Sequence, residues 1–150
     1  MRSAQAGFKD GKGKSGADWL AEIGPTLRVD IGWKSRTLDA ERPDLPAKQI
    51  HALVDTGAGA NCIDEALAIR LGLPVTDEGE TSGVHGVAKT TFYLARIYIP
   101  ELDRLLFERL AGARLEGTGI PHRAILGRPF LRPYRVAYHG ITGVVEIIEP

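Results

Sequence analysis

The segment HALVDTGAGANCID, residues 51–64, contains the side chains best suited to catalysis. Three apolar residues lead directly into Asp55, and Thr56 and Gly57 then begin a run of small and polar residues. A carboxylate at the end of a buried strand is costly unless it is hydrogen-bonded or paired. Gly57 would allow a tight turn that brings its amide to Asp55, and the Thr56 hydroxyl would fix the loop. The pattern therefore indicates a functional carboxylate.

Three segments of the chain together resemble one enzyme family. ALVDTGA, at Ala52 to Ala58, resembles the active-site loop of aspartic proteases, particularly the retropepsins, which are the retroviral-type single-domain enzymes. GVHGVAK, at Gly83 to Lys89, resembles the glycine-rich flap that closes over substrate, and AILGRPFL, at Ala124 to Leu131, resembles the Gly-Arg segment behind the catalytic loop. The resemblance covers about residues 25–148 and is closer in style to bacterial and other cellular members than to the viral enzymes.

This resemblance implies an all-β fold, a closed retropepsin-like barrel with one or two short helices, a flap hairpin and an obligate homodimer. The chain carries one Asp-Thr-Gly motif, so Asp55 would meet the Asp55 of a second copy at the two-fold axis. Two such carboxylates share a proton, as is established for aspartic proteases. The implied activity is that of an aspartic endopeptidase, which activates water for peptide hydrolysis and uses no metal or cofactor. Mildly acidic conditions should favour it.

The resemblance also assigns roles to individual positions. Thr56 would bond across the dimer axis, the Gly57 amide would support the carboxylate, and Gly127 and Arg128 would support the loop from behind. An extended peptide or protein segment, with the chain's own N-terminal segment as one candidate, would bind as an added strand. The residues implied to contact it are Ala58, Ala60, Cys62, Gly83, Val84, His85, Arg123 and Ile125.

Two positions depart from the viral pattern. An Asp four residues after the catalytic one normally pairs with the Arg of the Gly-Arg segment, but this chain has Gly59 there, so the partner of Arg128 stays open. His85 replaces a small flap residue, and an imidazole at a flap tip can sense pH. These departures keep open the alternative of an inactive peptide-binding or dimerisation module. A second alternative is a structural domain of a larger assembly whose monomers never pair through Asp55.

Other residues capable of chemistry are better explained structurally. Cys62 is the single cysteine, which excludes an internal disulfide, and a small buried side chain is a commoner role for it than a nucleophile. The four histidines lack the spacing of a metal motif. We therefore expect no metal site.

The elements that must position Asp55 follow from the hydrophobic pattern. A helix capped by Asp64 is expected over 64–72, with an exposed loop over 34–48 and a helical turn near 128–131. Strands and hairpins are expected over 26–31, 49–54, 81–100, 105–115, 134–138 and 144–148. The Gly- and Lys-rich residues 1–20 predict a flexible N-terminal arm, and residues 21–150 form the protease domain.

Composition limits the range of partners. A chain of 150 residues has the size of one domain, with 43% hydrophobic and 25% charged residues. Lys+Arg and Asp+Glu number 19 each, so no net field favours nucleic acid or an anionic membrane. No apolar run has the length of a membrane span and no signal peptide is evident, so a cytoplasmic protein is expected.

Overall fold

The computed structural model describes residues 1–34 and 43–150, and strands dominate these ranges. The strands are β1 (Ser3–Gln5), β2 (Thr26–Gly32), β3 (Ala47–Val54), β4 (Cys62–Asp64), β5 (Val75–Gly83), β6 (Gly86–Ile99), β7 (Arg104–Ala113), β8 (Ala124–Leu126), β9 (Arg135–His139) and β10 (Val144–Ile148). The helices are α1 (Gly16–Ile23), α2 (Glu65–Arg70) and α3 (Arg128–Leu131), with a 3-10 turn at Pro100–Leu102. No helix within the described ranges is long and apolar enough to cross a membrane.

Six strands close into a barrel, which confirms the predicted closed all-β barrel. The hydrogen-bonded order is β2-β3-β8-β4-β7-β6, and β6 pairs back with β2 to complete the ring. The pairs β3–β8 and β4–β7 are parallel, whereas the other pairs in the ring are antiparallel. A second sheet of order β1-β10-β9 lies outside the ring. The closed ring leaves no free edge along its wall, so the site must be built from strand ends and loops.

The alternation predicted for β2 is confirmed in part, because Asp30, which belongs to the polar set, is also buried. Leu27, Val29 and Ile31 are at most 1% exposed and face the core, while Arg28 between them is exposed. β3 buries Ala52 and the last residue before Asp55 in the same core. Of the loop expected over 34–48, residues 35–42 lie outside the described residues, and the last two positions belong to β3.

The predicted hairpin is confirmed, although its first strand begins earlier than expected, at Val75. β5 and β6 pair in register from Gly83↔Gly86 downward, which leaves Val84 and His85 as a two-residue turn. Gly86 has a φ of 105°, a conformation that residues with a Cβ rarely adopt. β6 then continues into the barrel wall, where it pairs with β7 and β2.

The predicted cap of α2 is also confirmed. Oδ2 of Asp64 accepts a hydrogen bond of 3.2 Å from the amide of Leu67 in the first turn of the helix. The other carboxylate oxygen accepts from the amides of Leu115 and Glu116, at 2.9 Å each. Asp64 is 1% exposed. One buried carboxylate therefore joins a helix start to a loop that is distant in sequence.

The N-terminal segment is not the flexible arm that the sequence predicted. β1 pairs with β10, and Ala4 and Ala6 are fully buried. A Cβ built on Gly16 would lie 2.2 Å from the carbonyl oxygen of Phe8, so the backbones pack together without side chains between them. α1 then begins at its Ser15 cap, whose hydroxyl accepts from the amide of Asp18 at 3.1 Å. α1 adds a third helix to the one or two that were expected.

Candidate active site

Asp55 lies at the carboxyl end of β3, where a short loop begins. Its amide donates a hydrogen bond of 2.9 Å to the carbonyl of Leu126, which continues the parallel pairing of β3 and β8. Its carboxylate Oδ1 accepts a bond of 2.8 Å from the amide of Gly57, the contact that the sequence predicted. The amide of Ala58 donates to the carbonyl of Asp55 at 3.2 Å, which closes the turn. The carboxylate is half-buried and fixed from one side.

Arg128 supports this loop through the backbone. Its Nη1 donates a hydrogen bond of 3.0 Å to the carbonyl of Thr56, and its amide donates one of 2.9 Å to the carbonyl of Ala58. A Cβ built on Gly59 would lie 3.3 Å from Arg128 Nη2. The small residue at this position therefore leaves the guanidinium close to the loop, and a carbonyl replaces the carboxylate partner of the viral pattern.

Gly127 is required by close contact rather than by its φ of −91°. A Cβ at this position would lie 2.7 Å from the carbonyl oxygen of Ala58 and 2.8 Å from that of Ala60. Contacts below 3.0 Å would force the loop to move. The role implied for Gly127, support of the loop from behind, agrees with this geometry.

The sequence interpretation missed Asn61 and Glu108. Asn61 is 2% exposed, and its Oδ1 accepts a hydrogen bond of 2.8 Å from the amide of Gly127. Its Nδ2 donates one of 3.1 Å to Glu108 Oε2 on β7. Burial raises the pKa of Glu108, while the bond from Asn61 acts to lower it. The signal for Asn61 was a lone amide side chain in a run of small residues; Glu108, 47 positions later in the chain, had none.

Two of the expected substrate-contacting residues lie side by side near the loop. Cys62 on β4 is paired in register with Ile125 on β8, and both are half-buried. Burial, and then the charge of Asp55, raise the pKa of the Cys62 thiol, which favours its neutral form. The half-buried Ala58 and Ala60 lie in the same loop. Ala58 and Ala60 thus lie in the loop between Asp55 and β4, and Cys62 and Ile125 form a strand pair directly after it.

Arg123 and the flap residues are placed apart from that cluster. Nη1 of Arg123 donates to the carbonyls of His122, at 2.9 Å, and Ile120, at 3.3 Å, so its guanidinium binds its own loop. Val84, in the hairpin turn between Gly83 and Gly86, is 99% exposed. No heavy atom lies within 4 Å of a Cβ built on either glycine. The structure therefore does not bring Gly83, Val84 and His85 into contact with the Asp55 loop.

The histidine that precedes Arg123 makes a buried structural contact. His122 is fully buried, and its Nε2 lies 2.7 Å from the hydroxyl of Thr26. Burial, and then the charges of His51 and Arg123, lower the pKa of His122, so it is neutral at physiological pH. In the described ranges, no three side chains of the types His, Cys, Asp and Glu form a group that could hold a metal ion.

A closed barrel with a single Asp-Thr-Gly loop at a strand end is typical of the retroviral-type aspartic protease family. The model of the family described as "gag-polyprotein putative aspartyl protease" matches residues 45–133, a range that includes the loop, the hairpin and the Gly127-Arg128 turn. The chain belongs to this family.

Solved structures of retroviral proteases are among those similar to the chain. EIAV protease in complex with the inhibitor HBY-793 is 22% identical, covers 72% of this chain and 85% of its own, and has a TM-score of 0.49. The solution structure of Simian Foamy Virus (mac) protease is 14% identical, covers 71% of this chain and 91% of its own, and has a TM-score of 0.46. No curated protein matches the chain.

Proposed function

We propose that the chain is an active aspartic endopeptidase whose dyad forms from Asp55 and the Asp55 of a second copy. The observation that carries this proposal is the one-sided support of the carboxylate by Gly57, at 2.8 Å, in a chain with a single Asp-Thr-Gly motif. The Thr56 side chain is exposed, and its hydroxyl has no hydrogen-bond partner within the described residues. Both groups are available to a second copy across a two-fold axis.

The chemistry follows from two carboxyl groups about 3 Å apart, which cannot both ionise, as is established for aspartic proteases. The ionised Asp55 removes a proton from a water molecule, and the water oxygen bonds to the scissile carbonyl carbon. The protonated Asp55 of the second copy donates a hydrogen bond to the carbonyl oxygen as its charge develops. Transfer of a proton to the amide nitrogen then breaks the C–N bond and releases an amine and a carboxylic acid.

The substrate would be an extended peptide segment that binds between the loop and the β5–β6 hairpin, which acts as the flap. Extended backbone adds as a strand, and alternate side chains enter pockets. Ala58, Ala60, Cys62 and Ile125 would favour an apolar side chain next to the cleaved bond. The chain's own β1 is a poorer substrate, because its residues already pair with β10 and its alanines are buried.

The proposal is tested by the isosteric substitution Asp55→Asn. Cleavage of a mixed peptide library at pH 4 to 7 should fall on the order of a hundredfold to ten-thousandfold. Thermal unfolding and sedimentation should stay unchanged. Asp103→Asn is the matched control, because this exposed aspartate lies in a turn after β6 and should retain full activity. Cleavage by Asp55→Asn at the wild-type rate would reject the assignment.

The departures at Gly59 and His85 favour one second candidate, a peptide-binding or dimerisation module that does not cleave. Such a module would enrich library peptides without cutting them at any pH. Sedimentation with and without a statine-type inhibitor separates the two further, because a protease dimer should be stabilised by the inhibitor. A chain that stays monomeric in both conditions would instead be a structural domain of a larger assembly.

A further inference from the structure

One peptide unit, Leu126–Gly127, connects the catalytic residue to the buried Asn61. The carbonyl of Leu126 accepts from the amide of Asp55 at 2.9 Å, and the amide of Gly127 donates to Asn61 Oδ1 at 2.8 Å. The C=O and N–H of one peptide unit are coplanar and point in opposite directions. The orientation that Asn61 gives to the N–H is therefore also the orientation of the carbonyl that binds Asp55.

Asn61 is itself held in one orientation. Its Oδ1 faces an N–H donor and its Nδ2 faces the Glu108 carboxylate at 3.1 Å, so exchanging the two amide atoms would lose both bonds. Its backbone carbonyl accepts from the amide of Ala111 at 2.9 Å. Both anchoring residues, Glu108 and Ala111, lie on β7 in the barrel wall. Asn61 thus transmits the position of a rigid strand to the loop.

The peptide unit has little freedom to compensate for a change at Asn61. A Cβ on Gly127 would lie 2.7 Å from the carbonyl oxygen of Ala58, so the turn packs directly on the loop. The next amide, that of Arg128, donates to the same carbonyl at 2.9 Å. With the Asn61 side chain removed, the buried Gly127 amide would lose its hydrogen-bond partner, which is unfavourable. Rotation of the unit to find a partner would displace the Asp55 amide.

We propose that Asn61, oriented by Glu108, is a positioning residue that sets the backbone of Asp55 relative to the second copy. This inference rests on the proposed protease function for its kinetic consequence but not for its structural one. Because the two copies are identical, loss of this support would displace both carboxylates of the dyad. This would slow the chemical step and leave peptide binding largely unchanged, because catalytic groups misplaced by about 1 Å lose on the order of a hundredfold in rate.

The kinetic test compares Asn61→Ala with Asp30→Ala, a matched removal of a buried acceptor from a backbone amide. Asp30 Oδ1 accepts from the amide of Gln49 at 2.9 Å, near the other end of β3. With a quenched peptide taken from the library, at a temperature where all variants are folded, Asn61→Ala should lower kcat about tenfold to a hundredfold. KM should change less than about threefold, and Asp30→Ala should retain kcat. An equal decrease of kcat in Asn61→Ala and Asp30→Ala would overturn the proposal.

Glu108 supplies a second variant pair that does not alter the loop sequence. Glu108→Ala should lower kcat about threefold to tenfold by releasing Nδ2 of Asn61, and Glu108→Gln, which keeps an acceptor oxygen, should restore most of it. If Asn61→Ala does not fold, the kcat values of these two Glu108 variants test the proposal instead. Wild-type kcat in Glu108→Ala would remove Glu108 from the proposal.

Hydrogen exchange tests the structural part without any activity. In Asn61→Ala and Glu108→Ala, exchange at the amides of Asp55 and Gly127 should accelerate relative to Asp30→Ala, while amides elsewhere in the barrel stay protected. Unchanged exchange at both amides would overturn the inference even for an active enzyme. If the wild type cleaves no peptide while both variants show the accelerated exchange, the proposed function is rejected and the positioning role of Asn61 is supported.

Discussion

The guanidinium of Arg128 donates a hydrogen bond of 3.0 Å to the backbone carbonyl of Thr56. The Asp55 loop is thus supported by an arginine that binds a main-chain carbonyl rather than a carboxylate. Gly59 stands at the position where the viral pattern has an aspartate, and a Cβ built on it would lie 3.3 Å from Arg128 Nη2. With glycine instead of aspartate at position 59, Arg128 still supports the loop, and one negative charge fewer lies near Asp55.

Removing this support should loosen the loop. Arg128→Ala should lower the free energy of unfolding by about 1 kcal/mol, because a single exposed hydrogen bond is lost. Peptide cleavage should fall by a larger factor than this small energy suggests, because the loop carries Asp55. Urea denaturation and kcat measure the two effects. Arg132→Ala is the control, since this exposed side chain has no partner in the described ranges, and a matching loss there would contradict the prediction.

Asp64 should contribute far more to stability than its position on a short helix suggests. Three backbone amides, those of Leu67, Leu115 and Glu116, donate to its buried carboxylate. Asp64→Ala should therefore lower the free energy of unfolding by about 2–4 kcal/mol, measured by urea denaturation at pH 7. Asp18→Ala, at the exposed face of α1, is the comparison and should cost less than about 0.5 kcal/mol. Equal losses would show that the amides find other partners.

The same carboxylate should make stability depend on pH. Burial alone would raise the pKa of Asp64, but the three amide donors, aided by Arg123, outweigh burial and lower it. A lowered folded pKa means that the stabilisation is fully present above the unfolded value, about 3.9, and is lost as pH falls through the folded pKa. The stability difference between wild type and Asp64→Asn should therefore be constant from pH 7 to about 5 and shrink towards pH 2. A difference that grows on acidification would contradict the sign.

The hairpin turn should tolerate a side chain at one glycine but not at the other. Gly86→Ala places a Cβ at φ 105° and should accelerate hydrogen exchange along β5 and the first half of β6. Gly83→Ala is the control, because its φ is ordinary and the space around its Cβ is open. Cleavage should fall with the first variant in proportion to the loss of hairpin order. Identical exchange in the two variants would show that the turn relaxes without cost.

The thiol of Cys62 should react slowly and be dispensable. Its pKa is raised by burial and by the charge of Asp55, and the thiolate is the reactive form. Iodoacetamide at pH 7 should modify it more slowly than free cysteine, and faster as pH rises above 9. Cys62→Ala should keep most of the peptidase activity. Loss of kcat in that variant, with the fold intact, would instead assign the sulfur a role in the site.

The sequence was most informative where side-chain pattern and backbone geometry agree. The alternation in β2, the apolar run that ends at Asp55 and the cap at Asp64 each have local physical causes, so each was predicted within a few residues. The hairpin was predicted from its glycines, although its first strand is longer because polar residues such as Glu78 and Glu80 give no apolar signal.

The errors came from features that local pattern does not encode. The N-terminal segment packs through glycine and alanine, whose small side chains give almost no hydrophobic period although the backbone around them is buried. The bond between Asn61 and Glu108 joins the start of one strand to the middle of another and depends on barrel closure. The partner of Arg128 is a main-chain atom, so no residue type could reveal it.

β6 is part of both the β5–β6 hairpin and the barrel wall. From Phe92 to Ile99 it is paired with β7 in the wall, whereas from Gly86 to Thr91 β5 is its sole partner among the described strands. The register of β5 shifts between Val75 and Asp77, opposite the point where β6 changes partners, and such irregularities bend strands. The hairpin therefore leaves the barrel wall near Phe92 and Tyr93, where β6 is paired on both sides. A displacement of the hairpin turn would reach the wall through these two residues of β6.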